Sequence, residues 1–225
     1  MKTLCFIGTT LTCGIRDRDA LGWAGRLTRQ LIREGHEVHH YNLGIPGETL
    51  PVLAKRAERE AKPRLEGVED ALVFIEPGHA DLALLKDSRR RTDATTFEAH
   101  LTVTMDLLDS LAPVVLVGPT PVAEREGLLP CPVTGEMIRY SNTPIAAVSR
   151  RMAGIAEERG ILYLDLFEEM QKGTAYTASI EDDPFGVDPG SGGHKLIAEY
   201  AHDRLLPIMV DEDAALGAAP DNAHG

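Results

Sequence analysis

Five short strand candidates, Thr3–Ile7, Glu37–Asn42, Asp70–Ile75, Pro113–Val117 and Ile161–Asp165, most of them apolar, recur along the chain with longer amphipathic stretches between them. No other feature narrows the fold as much. A run this short suits a buried strand, whereas Ala20–Arg33 sets Leu21, Ala24, Leu27, Leu31 and Ile32 at helical spacing and stops at Gly35. Pro51–Ala61, Thr95–Leu111, Thr143–Arg159 and Gly193–Leu206 read as further helices. Strands joined through helices must run parallel, so the expected fold is an α/β/α sandwich with a central parallel sheet covered on both faces. No internal repeat is visible. The expected domain covers residues 1–208, followed by an acidic, Ala/Gly-rich tail over 209–225. Within that tail, Asp211–Gly225 has little to bury and reads as mobile, or as a further helix that docks on a partner.

Composition excludes several functions. With 225 residues, 43% of them hydrophobic and 26% charged, the chain can build one substantial core. A formal charge of −12 argues against nucleic acid and against an anionic membrane, since both are held through Lys and Arg. One basic knot, Arg89-Arg90-Arg91, interrupts that acidic background. The three cysteines, Cys5, Cys13 and Cys131, make neither a CxxC pair nor an even framework and suit a reducing compartment. No stretch approaches the roughly 20 apolar residues of a membrane span, and Met1-Lys2 leads straight into a strand. The expectation is a cytoplasmic protein acting on a small molecule.

In a sheet of this kind, ligands bind beyond the carboxyl ends of the strands. That rule puts the turns Gly8–Gly14, Leu43–Thr49, Glu76–Asp81 and Gly118–Val122 on one rim, with the loop Asp182–Gly193 beside them.

Read in order, these segments resemble the SGNH (GDSL-type) hydrolase superfamily, over nearly the whole chain to about residue 208. "GTTLTCG…LGWAGRL" sits where the family has its GDSL block and following Gly-Trp helix. "YNLGIPGET" is similar to the second block, "EPGHAD" to the GxND block, and "FGVDP" to the final DxxHP. "PVVLVGPTPV", "YSNTPIAAVSRRMAGIAEERGILYLDLF" and "GGHKLIAEY" resemble the later framework. The resemblance implies a flavodoxin-like three-layer fold. It also implies that Thr10 stands at the nucleophile, Gly47 at the oxyanion glycine, Ala80 at the oxyanion asparagine, Phe185 at the aspartate and Asp188 at the histidine. On that alignment the family's nucleophile, base, orienting acid and one oxyanion donor are all replaced.

Such replacements are expensive for hydrolysis. A carboxylate of ordinary pKa ~3.9 is a poor acceptor for a hydroxyl proton. Loss of the nucleophile or base costs on the order of 10⁶ in kcat, and loss of an oxyanion side-chain donor roughly 10²–10³.

The candidate site follows from these positions. Asp188 is the candidate base or ammonium anchor, if burial beside Phe185 raises its pKa; otherwise it caps the turn before Pro189. Thr10 is the other candidate catalytic residue. Thr9, Thr10 and Thr12, with outward-pointing amides and Gly47, read either as an anion cradle or as a turn that satisfies its own backbone. His79 is a candidate donor or acid toward a ligand, and Arg16 a candidate anion ligand, as are Arg18 and Arg89–Arg91; all of these also read as ordinary loop residues. Asp182 and Asp183 read as solvated acids, His194 as structural, Trp23 as packing, and Cys13 as a nucleophile without a partner. The adjacent His39-His40 pair alternates across a strand, and no other histidine spacing suits a metal; no metal and no cofactor are expected.

Three readings of function result. The first is a repurposed enzyme that uses Asp188 on a small anionic or acyl substrate, by intramolecular substitution, elimination or acyl transfer, in specialised biosynthesis. The second is a residual esterase with Thr10 as nucleophile. The third is a catalytically silent subunit that binds a ligand or supports a protein partner.

Overall fold

A computed structural model describes residues 1–216. Five parallel strands form the central sheet: β1 (Lys2–Gly8), β2 (Val38–Gly44), β3 (Ala71–Glu76), β4 (Val114–Val117) and β7 (Leu162–Leu164), in the order β2-β1-β3-β4-β7. All five expected strands are present, and the order is the flavodoxin-like one. Between β4 and β7 lies a small antiparallel hairpin, β5 (Leu129–Pro130) and β6 (Met137–Ile138), which the sequence did not announce.

The long helices are α2 (Gly22–Arg33), α3 (Leu50–Leu65), α4 (Ala94–Asp109), α5 (Asn142–Arg159) and α8 (Ser191–Leu216). Shorter ones are α1 (Thr10–Cys13), α6 (Leu166–Met170) and α7 (Ala175–Ile180). Two expected ends move, both at prolines. α3 continues through Pro63 to Leu65, and α8 continues through Pro207 to Leu216, into the segment read as tail. Residues 217–225, the rest of that expected tail, lie outside the described residues. Among the described residues no helix is long and apolar enough to cross a membrane.

Strand alternation splits the core in two. Along β1 and β3, Cys5, Ile7, Val73 and Ile75 face α3, α4 and α5, packing with Leu53, Leu101 and Met152. Leu4, Phe6, Leu72 and Phe74 face α2 and α8, packing with Leu27, Leu31 and Ile197. Trp23 belongs to this second layer, as expected: it is fully buried and meets Phe6 edge-on at 5.2 Å, while Phe6 stacks on Phe74 at 4.4 Å.

Strands β2, β1 and β3 end level, with Gly8 opposite both Gly44 and Glu76. The peptide that leaves β1 is held there from both sides. Its carbonyl, on Gly8, accepts from the buried Arg56 of α3 (Nη2, 3.0 Å) and from the Ile45 amide (3.1 Å). Its N–H, on Thr9, donates to the buried Glu76 carboxylate at 2.9 Å. Arg56 also reaches the Leu43 carbonyl at 2.9 Å and Glu48 at 2.7 Å, so one guanidinium ties the ends of β1 and β2 to the following loop.

Removing one partner of such a buried charge costs several kcal/mol. Arg56→Ala should therefore lower unfolding free energy by about 3 kcal/mol in urea titrations, and Arg56→Lys should recover little, because an ammonium cannot span these acceptors. A loss below about 1 kcal/mol for Arg56→Ala would show that the clamp is not stabilising.

Candidate active site

Beyond these level strand ends lies a cavity of about 190 Å³. Its lining comes from Thr9–Leu11 and Ile15 after β1, Pro46 and Gly47 after β2, His79 and Ala80 after β3, and Arg91. The hairpin region adds Cys131–Val133, Ile138 and Tyr140, and the loop before α8 adds Phe185, Val187 and Asp188. The hairpin is pinned by paired backbone bonds between Leu84 and Arg139, at 2.8 and 3.0 Å. It also touches the β2 loop. Gly47 has φ 75°, and a Cβ there would meet Val133 at 2.5 Å, so only glycine fits this closure.

Six of the seven candidate residues share the cavity: Thr9, Thr10, Gly47, His79, Phe185 and Asp188. Arg16 does not line it. Its guanidinium turns to the Asp182 carbonyl (3.3 Å) and the Asp183 carboxylate (3.5 Å), while Arg91 from the basic knot takes a place in the lining. Arg91 is anchored through Nε to Glu136 at 3.1 Å. Asp183, expected to be solvated, is buried instead, and it does the capping considered for Asp188. Its carboxylate accepts from the amides of Val187 (2.9 Å) and Asp188 (3.3 Å).

Asp188 is thereby left free for the cavity. Among the described residues its carboxyl oxygens accept no hydrogen bond. Burial first, then the negative charge of Asp183, pushes it up to about 7 against the pull of Arg16.

The threonine turn needs the largest correction. It is a single helical turn, α1, in which the donors of Thr9 and Thr12 are committed inward. Glu76 accepts from the amides of Thr9 (2.9 Å) and Thr12 (3.2 Å) and from both hydroxyls, at 3.2 and 2.9 Å. The Gly47 amide donates to the Thr10 hydroxyl at 3.0 Å. Thr9, Thr12 and Gly47 therefore do not make the anion cradle that the sequence suggested, because a buried carboxylate and a neighbouring hydroxyl take their donors. Burial pushes Glu76 up to about 7, against these four donors.

His79 is buried, and its Nε2 lies 2.8 Å from the Thr120 carbonyl. A carbonyl only accepts, so Nε2 carries the hydrogen. Burial holds the ring below the usual imidazole range, opposed by that carbonyl. The neutral ring thus offers the cavity an acceptor, where the sequence suggested a donor. His194 is structural, as expected: it is fully buried and bonded through Nε2 to the Ile15 carbonyl at 3.0 Å. Cys13 is half-buried and its thiol is raised by burial. Cys131, by contrast, lines the cavity, and its thiol is drawn down, against burial, by Thr134, the Val133 amide and Arg91. No group of three or more metal-ligating side chains occurs among the described residues.

Sequence reasoning missed Glu76, Cys131 and Tyr140. Glu76 had a readable signal, since alternation puts it on the face of Leu72 and Phe74, inside the protein. The other two come from a hairpin whose strands have two residues each, too short to leave a pattern.

Comparisons agree with the fold. The chain superposes on a lipase/acylhydrolase from Enterococcus faecalis with a TM-score of 0.71 at 20% identity, covering 92% of this chain and 97% of that one. A member of the lipolytic G-D-S-L family from Veillonella parvula gives 0.64 at 18% identity, covering 93% and 98%. Axe2, an acetylxylan esterase from Geobacillus stearothermophilus, gives 0.66 at 21% identity, covering 90% and 93%. No curated protein sequence matches the chain. The model of the GDSL-like lipase/acylhydrolase family matches residues 6–196, most of the chain, and the protein belongs to that family.

Proposed function

We propose that this is a repurposed member of the family, an enzyme that no longer hydrolyses esters and instead carries out carboxylate-assisted chemistry on a small anionic or acyl substrate. The observation that carries the reading is Asp188. An unpaired carboxyl, raised to about 7, occupies the cavity wall at the position the resemblance gives to the family's histidine. Thr10 and Ala80 line the same cavity at the positions given to the nucleophile and the oxyanion asparagine, so the catalytic set is degenerate on this alignment.

Asp188 orients an amine or hydroxyl through its carboxyl, and a base in the same cavity accepts the proton. Arg91 holds the anionic or departing group, a role that Arg16 cannot fill from outside the lining. Thr10, its oxygen already accepting from Gly47, donates to an acyl oxygen. Apolar walls from Leu11, Ile15, Ile138, Phe185 and Val187 displace water, which favours intramolecular substitution, elimination or acyl transfer over hydrolysis. We place such chemistry in specialised biosynthesis in the cytoplasm.

Hydrolysis of p-nitrophenyl acetate separates this reading from a residual esterase. Wild type should release nitrophenol without a burst and with no acetyl group left on the protein. A burst accompanied by an acetyl group on Thr10, located by mass spectrometry, would make Thr10 a nucleophile and overturn the proposal. A protein that copurifies with a second chain in fixed ratio, in a complex whose activity ignores Asp188→Asn, would instead be a silent subunit.

The proton on Asp188 can be followed without a substrate. Its folded-state pKa of about 7 exceeds an unfolded value of ~3.9, so the folded form binds the proton more tightly. Its contribution to stability is complete below the unfolded pKa and is lost as pH rises through 7. Asp188→Asn removes that loss, so its melting temperature relative to wild type should rise from pH 5 to pH 8. A difference that stays constant over this range would mean that the carboxyl titrates normally.

A further inference from the structure

We infer that His79 is the proton acceptor of the cavity, working through Nδ1 on a substrate O–H or N–H that Asp188 holds in place. The inference rests on reading the cavity as a reaction chamber and names the base within it.

Three observations on the ring agree. The 2.8 Å bond to the Thr120 carbonyl fixes the hydrogen on Nε2, with the Thr120 hydroxyl at 3.4 Å from the same nitrogen. The lone pair is therefore on Nδ1. That nitrogen has no hydrogen-bond partner among the described residues, yet it is not sealed like the Nδ1 of His194; the ring lines the cavity and is reached from it. Finally, Tyr140 meets the imidazole edge-on at 6.2 Å, which fixes the ring plane together with the Thr120 bond.

The charged and titratable groups around the ring do not compete for this role. Asp81, two residues on, is buried and turned to the Leu50 amide (2.8 Å) and the Thr92 hydroxyl (2.6 Å). Glu76 is occupied beneath Thr9 and Thr12. Arg91, Cys131, Tyr140 and Asp188 share the cavity. Of these, Asp188 is the rival base, but near neutrality it still holds much of its proton, whereas burial holds the His79 ring below the usual imidazole range. In the step proposed, the attacking oxygen or nitrogen forms its bond to an electrophilic carbon and releases its proton to Nδ1. The group leaving that carbon departs with the electron pair of the broken bond. The imidazolium then returns the proton to that anion or to water.

The base can be tested with a probe that needs neither an amine nor an anion. 5-Nitrobenzisoxazole loses its C–H proton to a base while its N–O bond breaks, and gives a coloured nitrile phenolate. Wild-type protein should turn it over faster than free imidazole at equal concentration, with a rate whose rise has its midpoint below pH 6.5. His79→Gln keeps an N–H for Thr120 but has no basic nitrogen, and should lower the rate about 100-fold. Added imidazole should restore turnover to His79→Ala, provided that circular dichroism shows both variants folded. A rate that rises with a midpoint near pH 7 and ignores His79→Gln would assign the base to Asp188 and overturn the inference. So would turnover no faster than free imidazole. Because the probe bypasses substrate recognition, such a failure removes His79 alone, whereas the nitrophenyl ester and Asp188 melting experiments judge the wider reading.

Discussion

A single peptide unit, the one joining Gly8 to Thr9, connects the core of this protein to its cavity. Its carbonyl faces a buried guanidinium and its N–H a buried carboxylate, at 3.0 and 2.9 Å. Neither charge is easily hydrated, so each must be satisfied by protein groups. Arg56 is satisfied by Gly8, Leu43 and Glu48, and Glu76 by Thr9 and Thr12. These partners come from β1, β2 and the loops after them. The requirement to satisfy a buried guanidinium and a buried carboxyl therefore also aligns the strand ends from which the site is built.

This arrangement has a cost for the site. In a turn that binds anions, the amides and hydroxyls must point outward and remain free. Here Glu76 draws those of Thr9 and Thr12 inward, and Thr10 takes the Gly47 amide. Thr10 keeps a place in the lining, and further polar side chains there are His79 after β3, Arg91, and Asp188 before α8. These stand on loops around the turn, where substitutions disturb the fold least.

The fold was legible because the main strands and helices are long enough to show their period. Four of the five sheet strands carry an apolar run, while β2 (VHHYNLG) is a polar edge strand placed by its position between two helices, and the strand order is the one the family resemblance implied. The site was less legible, for reasons that differ by residue. Asp188 and His79 sit on rim loops, which topology alone locates. The roles of Asp183 and Asp188 could not be separated in sequence, because five residues of loop decide which carboxylate turns back to cap the amides. Arg16 and Arg91 have the same side chain and both follow rim turns, yet Asp183 holds one outside while Glu136 steadies the other in the lining. Such choices depend on long-range partners, and no local pattern records them.

The apolar wall accounts for the direction of the two shifts in the cavity. Removing water disfavours charge, so the same environment moves a carboxyl upward and an imidazole downward. Asp188 and His79 shift in these opposite directions. Near neutral pH the cavity can therefore hold a carboxyl that still has a proton and a ring nitrogen that has none, which is the pairing an acid–base step requires. The hairpin that closes on Gly47 through Val133 adds hydrocarbon to the same lining, so the contact that bounds the cavity also strengthens both shifts.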